Sequence, residues 1–219
     1  FPTRRSSDLR STTNSSGSGS EMVSRSVTVA EAFTEEYKKV NPDDVVEEIN
    51  LFTIGVPPVN GETMDAWTEL KSGRDLKDLS PEHQKLVAKH DQLLNQFIGF
   101  DKYVFVNPMY NLFFPAELKA YIDVLCVAKK TFMYTPEGPK GLLEGRKVMH
   151  IQSAGGFYHT NGQTGEMDYG HKYLTGIMNF LGINDIKGIF IEGADYFPDK
   201  EQEIVAAAVE EAKQEARTF

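Results

Sequence analysis

The stretch Lys102 to Leu125, KYVFVNPMYNLFFPAELKAYIDVL, decides the fold class. Its first six residues, KYVFVN, form a short run rich in β-branched and aromatic side chains, as a buried strand requires. Pro108-Met109-Tyr110-Asn111 interrupts that run. From about Pro115, the residues Leu118, Ile122 and Leu125 recur at helical spacing on one face. A strand therefore feeds a loop that opens a helix. The same unit recurs downstream. Arg146–Gln152 (RKVMHIQ) reads as a strand, Ser153-Ala154-Gly155-Gly156 ends it, and a helix follows from about Met167 to Leu181. Ile186–Glu192 (IKGIFIE) gives a last strand, and Asp199–Arg217 an acidic, alanine-rich last helix.

Upstream, Val27, Ala30, Phe33 and Tyr37 mark a helix from Ser24 to about Val40, stopped by Asn41-Pro42-Asp43-Asp44. Val45–Phe52 (VVEEINLF) reads as a strand. Residues 53–80 are a Gly-, Pro- and polar-rich excursion with a short helix near Met64–Leu70, long enough to serve as a functional loop. Ser80 caps a further helix with Pro81 in its first turn, carrying Leu86, Leu93, Leu94 and Phe97. Residues 130–145 (KTFMYTPEGPKGLLEG) read as a punctuated crossover.

This alternation predicts an α/β, doubly wound, mostly parallel sheet with helices on both faces. Counted from Val45 there are four strands and five main helices, and the pattern opens on a helix. In the flavodoxin-like order 2-1-3-4-5 the first strand is internal and precedes the first helix. Its place is taken by residues 1–20, FPTRRSSDLRSTTNSSGSGS, which carry three arginines, many serines and few apolar residues. The first strand is therefore expected to be missing or replaced, at a cost exceeding the net stability of a typical domain, about 5–15 kcal/mol. Phe1–Leu9 also resembles the translation of a sequencing adapter. Residues 1–20 are read as non-native or disordered, with Gly17-Ser18-Gly19-Ser20 a flexible loop and a natural disordered tail as the alternative; residues 21–219 are read as one domain.

Composition narrows the function. The 219 residues carry 32 acidic and 23 basic side chains, a net charge of −9, with no basic stripe, which argues against a nucleic-acid partner. No apolar run approaches the roughly 20 residues of a membrane span, and no secretory h-region follows Phe1. Cys126 is the only cysteine, which fits a reducing, cytoplasmic setting and excludes an intramolecular disulfide. It reads as a packing residue. His83, His90, His150, His159 and His171 lack metal-ligand spacing, so no metal is expected. His83 and His90 are read as solvent-side, His150 as a satisfied core or half-buried residue, and His159 as bordering a site.

In open α/β sheets, ligands sit beyond the carboxyl ends of the strands. Three loops qualify. Ser24-Arg25-Ser26 opens a helix, where backbone N–H groups, hydroxyls and a guanidinium suit a phosphate; the competing reading is plain serine capping. Met109, Tyr110, Asn111 and Leu112 offer contact area and hydrogen bonds to a flat ring. Ser153, Ala154, Gly155 and Gly156 let backbone approach a ligand closely. Neither G-x-G-x-x-G, a P-loop nor G-x-S-x-G is present.

Taken together, Pro108-Met109-Tyr110-Asn111, Thr131-Phe132-Met133-Tyr134 with Glu137-Gly138-Pro139 and Gly141-Leu142, and Ser153-Ala154-Gly155-Gly156 resemble the FMN-dependent NADH azoreductase family, also described as NADH:quinone oxidoreductases. The resemblance spans residues 22–217. It implies a flavodoxin-like homodimer that binds FMN, takes a hydride from NADH or NADPH and passes two electrons to quinones or azo compounds. It further implies that Ser24, Arg25 and Ser26 contact the FMN phosphate, Met109, Tyr110, Asn111 and Leu112 the ribityl chain and ring, and Ser153, Ala154, Gly155 and Gly156 the pyrimidine side. Phe132 and Tyr134 become walls over the flavin contributed across the dimer, or else loop packing. No catalytic side chain is implied, because product protons can come from solvent. The alternatives are an FMN electron carrier without NADH turnover, or an FMN-free interaction protein if the first strand is absent.

Overall fold

The computed structural model describes residues 7–12, 24–160 and 164–219. Its elements are β1 (Ser7–Thr12), α1 (Arg25–Val40), β2 (Val45–Asn50), α2 (Gly61–Lys71), α3 (Pro81–Ile98), β3 (Lys102–Pro108), α4 (Ala116–Leu125), β4 (Phe132–Thr135), β5 (Gly138–Gly141), β6 (Lys147–Ser153), α5 (Tyr169–Phe180), β7 (Asp185–Ile191) and α6 (Glu201–Ala216). Five strands form one sheet in the order β2-β1-β3-β6-β7, every neighbouring pair parallel. Counting only these five, this is the expected 2-1-3-4-5 order.

Strand alternation sorts the core into two layers. Val104 and Val106 of β3 face α1 and α6, packing with Phe33, Tyr37, Met149, Ile151 and Ala212. Tyr103 and Phe105 face the other way, into a cluster with Phe97 of α3, Leu118 and Ile122 of α4, and Leu174 and Met178 of α5. Burial on both faces is what makes β3 a continuous apolar run.

Three expectations need correction. The slot for the first strand is not empty: Ser7–Thr12 pairs with β2 on one side and β3 on the other, from Asp8↔Lys102 to Thr12↔Val106. The strand is replaced rather than missing, and the sheet opens on a strand, not a helix. Backbone ladder bonds do not depend on side-chain identity, so a polar sequence can occupy the slot. Residues 1–6 and 13–20 of the segment set apart above, including Gly17–Ser20, lie outside the described residues. The crossover at 130–145 contains an antiparallel hairpin, β4–β5, anchored by Phe132 in the core and turned at Gly138 (φ 123°). The short helix of the excursion begins earlier than Met64, because the Asn60 side chain accepts from Thr63 N at 3.1 Å and caps α2.

Candidate functional site

Because all five strands are parallel, their carboxyl ends share one edge. There the loops after β3, β6 and β7 enclose a cavity of about 520 Å³. Met109, Asn111 and Leu112 line it from the first loop, Ala154, Gly155, Gly156 and Tyr158 from the second, and Asp195 and Tyr196 from the third.

The first wall is a tight turn. Tyr110 and Phe113 exchange N–H···O=C bonds at 2.7 and 3.0 Å, and the residues between them, Asn111 (φ 49°) and Leu112 (φ 67°), are left-handed. Both features fit a type I′ turn. Asparagine tolerates this conformation, whereas leucine in it costs roughly 1–2 kcal/mol. Strain of this kind persists only where the surroundings enforce it. Part of that enforcement is the bond from Met109 N to the Ser153 carbonyl, 2.7 Å, which ties the turn to the end of β6.

The second wall is packed closely at its two glycines. A Cβ on Gly155 would stand 2.1 Å from Asp195 Oδ2, and one on Gly156 would stand 3.0 Å from the Tyr158 ring. The loop continuing from it is held by Glu192, a buried carboxylate that accepts from the backbone N–H groups of Tyr158, His159 and Thr160 at 2.7, 2.6 and 3.1 Å and from the Thr160 hydroxyl at 2.7 Å. Those bonds compensate the burial of its charge.

Six of the expected cofactor residues thus line one cavity: Met109, Asn111, Leu112, Ala154, Gly155 and Gly156. Tyr110 supplies the turn's backbone and leaves its ring half exposed, while Ser153 is buried and contributes its carbonyl. Ser24, Arg25 and Ser26 stand one step away. Arg25 donates from Nη1 to Asp195 Oδ1 (3.0 Å) and from Nε to Glu201 Oε1 (2.6 Å), reaching the site through the Asp195 wall. Ser24 makes no side-chain cap bond; its hydroxyl lies 3.1 Å from that of the buried Ser26, which disfavours the plain capping reading. Phe132 and Tyr134 do not reach this cavity in their own chain. Phe132 is buried against Phe180, and Tyr134, 73% exposed, meets Phe132 edge to face.

Tyr158, Asp195, Tyr196 and Glu192 were not expected. The loop Gly193-Ala194-Asp195-Tyr196-Phe197 follows a strand at the same edge, and its glycine is left-handed (φ 82°), so the rule that picked out the other loops applies to it equally. Among the histidines, His150 is fully buried and hydrogen-bonded, as expected. His159 stacks on Phe190 with ring centroids 3.6 Å apart. His90 is not solvent-side: it is buried against Trp67, and its Nε2 lies 3.0 Å from the Pro57 carbonyl. The Cys126 thiol is pushed up to about 11 by burial, so it stays protonated and unreactive near neutral pH.

Residues 14–216 match the family described as having a flavodoxin-like fold. The chain is 45% identical over 196 residues to an FMN-dependent NADH:quinone oxidoreductase of Geobacillus kaustophilus, covering 90% of this chain and 92% of the relative. It is 45% identical over 199 residues to another protein of that name from Bacillus pumilus, covering 91% and 94%. Among solved structures, an FMN-dependent NADH-azoreductase from Bacillus anthracis in complex with FMN superposes with a TM-score of 0.88 at 31% identity, over 97% of this chain and 98% of that one. On this sequence and structural similarity, the chain belongs to the flavodoxin-like FMN-dependent NADH azoreductase and NADH:quinone oxidoreductase family.

Proposed function

We infer that this protein is an FMN-dependent NADH oxidoreductase that reduces quinones and azo compounds. The observation that carries the reading is the cavity at the carboxyl edge of the sheet, with a glycine wall on which a Cβ would press against Asp195 and Tyr158, and a volume in the range of small-molecule sites. The residues present fit a flavin mononucleotide. Bound there, FMN supplies the two-electron relay between NADH and the acceptor.

The chain's own residues do the rest. Met109 and Leu112 give apolar contact area, and Asn111 adds a side-chain amide to the same wall. Gly155 and Gly156 would let backbone approach a bound ring, where N–H donors would favour negative charge on its pyrimidine edge. Ser24, Arg25 and Ser26, at the positive end of α1, hold the phosphate, with Arg25 exchanging part of its pairing to Asp195 and Glu201 for it. Product protons come from solvent.

Assembly as a homodimer completes the reading. Tyr110, Tyr134, Tyr169, Tyr196 and Phe197 are large aromatic side chains left exposed, and a second copy would cover such surface. Tyr134 then walls the partner's flavin, while Phe132 supports it from the core. Among the described residues, no helix is long and apolar enough to cross a membrane, and an acidic chain with a single protonated thiol suits the cytoplasm.

The test is reconstitution of the purified chain with FMN, followed by NADH oxidation with a benzoquinone and with an azo dye, and light scattering for the oligomer. FMN-dependent oxidation of NADH with either acceptor is the expected result. A yellow protein that leaves NADH untouched is an electron carrier, and a colourless one rules out the flavin assignment.

A further inference from the structure

On the strands whose following loops line the cavity, and on α5, five polar residues form a closed ring of hydrogen bonds, one link passing through a backbone N–H, that the assignments above leave unused. Asn107 Nδ2 donates to the Pro108 carbonyl at 3.0 Å and to Gln152 Oε1 at 3.4 Å. Gln152 Nε2 donates to Asp168 Oδ2 at 3.0 Å, and Asp168 Oδ1 accepts from the backbone N–H of His171 at 3.0 Å, capping α5. The imidazoles of His171 and His150 meet Nδ1 to Nδ1 at 2.9 Å, and His150 Nε2 lies 2.9 Å from Asn107 Oδ1, closing the ring. Asn107, His150, Gln152 and Asp168 are all buried.

The proton positions follow from one fixed point. Only the NH₂ end of Asn107 can donate to a carbonyl, so its oxygen faces His150 and Nε2 of His150 carries the proton. A neutral His150 then accepts at Nδ1, so His171 donates from its own Nδ1 and accepts at Nε2, where the Thr175 hydroxyl lies 3.5 Å away. Burial, reinforced by the neighbouring His171 and His159, holds His150 neutral; His171 is also pushed below 6.5 by burial, against the opposing pull of Asp168.

The ring spans the elements that carry the cavity. Asn107 and Gln152 are the penultimate residues of β3 and β6, and Asp168 opens α5. Gly170 of α5 presses on the far end of the turn, where a Cβ would lie 3.2 Å from Phe114 N. The left-handed residues Asn111 and Leu112 lie between these anchors.

We propose that His150, which does not line the cavity, is a positioning residue: by fixing the Asn107 amide it holds the Tyr110–Phe113 turn in its FMN-facing conformation. Without the imidazole, Asn107 Oδ1 is a buried acceptor with no donor, and the amide that donates to the Pro108 carbonyl is held only from its NH₂ end. The inference rests on the FMN reading only for what the turn faces. The ring itself is a property of the chain.

The experiment compares His150→Phe, His150→Gln, Asn107→Leu and the double variant of His150→Phe with Asn107→Leu, using two readouts. Amide hydrogen exchange at Met109, Tyr110 and Phe113 is measured on FMN-free protein, and FMN affinity by quenching of flavin fluorescence. His150→Phe is expected to quicken exchange at those three amides and weaken FMN about tenfold, the scale of one buried acceptor left unpaired. His150→Gln, whose amide can donate to Asn107 and accept from His171, should stay within about twofold of the parent. The double variant should lose no more than the worse single one. Faster exchange at the turn with the glutamine rescue supports the proposal even if FMN does not bind, in which case the cofactor reading alone fails. Exchange that rises equally along β3, β6 and the turn, no difference between Phe and Gln, or additive losses in the double variant would each overturn it. If His150→Phe does not fold, Asn107→Leu and the glutamine rescue carry the same decision.

Discussion

β1 and β3 lie side by side at the centre of one sheet, paired from Asp8↔Lys102 to Thr12↔Val106, yet they are written in different alphabets. β3 is KYVFVNP, with five consecutive buried positions. β1 is SDLRST, in which Leu9 is the only large apolar residue. Both can complete a backbone ladder, since every non-proline residue brings one N–H and one C=O. Only β3 also brings the apolar area that makes a strand buried on both faces favourable. Position in a sheet and contribution to its stability are thus separable, and the cavity reflects this. Its lining comes from the loops after β3, β6 and β7, while the contact expected beside β1 is a step removed, at Ser24, Arg25 and Ser26.

The largest expected effects come from the two strands, one substitution removing apolar area and the other a ladder bond. Phe105→Ala in β3, where the ring is 1% exposed, should lower the free energy of urea unfolding by about 3–5 kcal/mol. Arg10→Pro in β1, which removes a backbone N–H from a strand paired on both sides, should lower it by about 1–3 kcal/mol. Urea melts of the three chains at one pH decide the matter. A proline variant as stable as its parent would show that β1 does not occupy the ladder in solution.

The same contrast explains what could be read from sequence. β3, β6 and β7 announce themselves because strands covered on both faces must be apolar runs, and each begins and ends within about a residue of the sequence boundary. β1 carries no such signal. Nor does β5, GPKG, which is held by its hairpin partner and by Gly141, where a Cβ would stand 2.1 Å from Gly182 N. His90 looked solvent-side because helical spacing says nothing of the 51–60 loop, whose Pro57 carbonyl folds over it. At the site, the turn after β3 and the glycine pair after β6 were visible as interruptions in strand–helix units. Glu192 and the polar ring were not, since their meaning lies in partners distant in sequence: Asp168 lies 61 residues from Asn107 yet belongs to the same ring.

That ring also makes the carboxyl ends of β3 and β6 sensitive to acid in a way their apolar middles are not. His150 and His171 lie below 6.5 in the folded protein, so between their folded and unfolded values the unfolded chain binds more protons. Their stabilisation is present above about pH 6.5 and is lost as pH falls through the interval below it, by at most about 1.4 kcal/mol per pH unit for each histidine. The facing groups are His159 and Asp168, the latter favouring charge on His171. Urea unfolding of the parent and of His150→Gln between pH 7.5 and about pH 5 isolates the His150 share. The parent should lose stability more steeply than the variant. Parallel curves would mean that His150 is not held neutral by the fold.

The smallest effect concerns a polar group that even the apolar layer failed to satisfy. Tyr121 of α4 is fully buried beside Phe97, in the layer that covers Phe105, and its hydroxyl has no hydrogen-bond partner among the described residues. Burial raises its pKa far above the ordinary phenol value, so it remains a neutral O–H group. An unsatisfied buried hydroxyl costs about 1–3 kcal/mol, and removing it without changing the ring's shape recovers part of that. Tyr121→Phe should therefore raise the unfolding free energy by about 1 kcal/mol, opposite in sign to almost every other truncation in this core. A loss of stability in the variant would show that the hydroxyl has a partner in solution, an ordered water or a second subunit. It would then join the buried polar groups that this side of the sheet keeps satisfied.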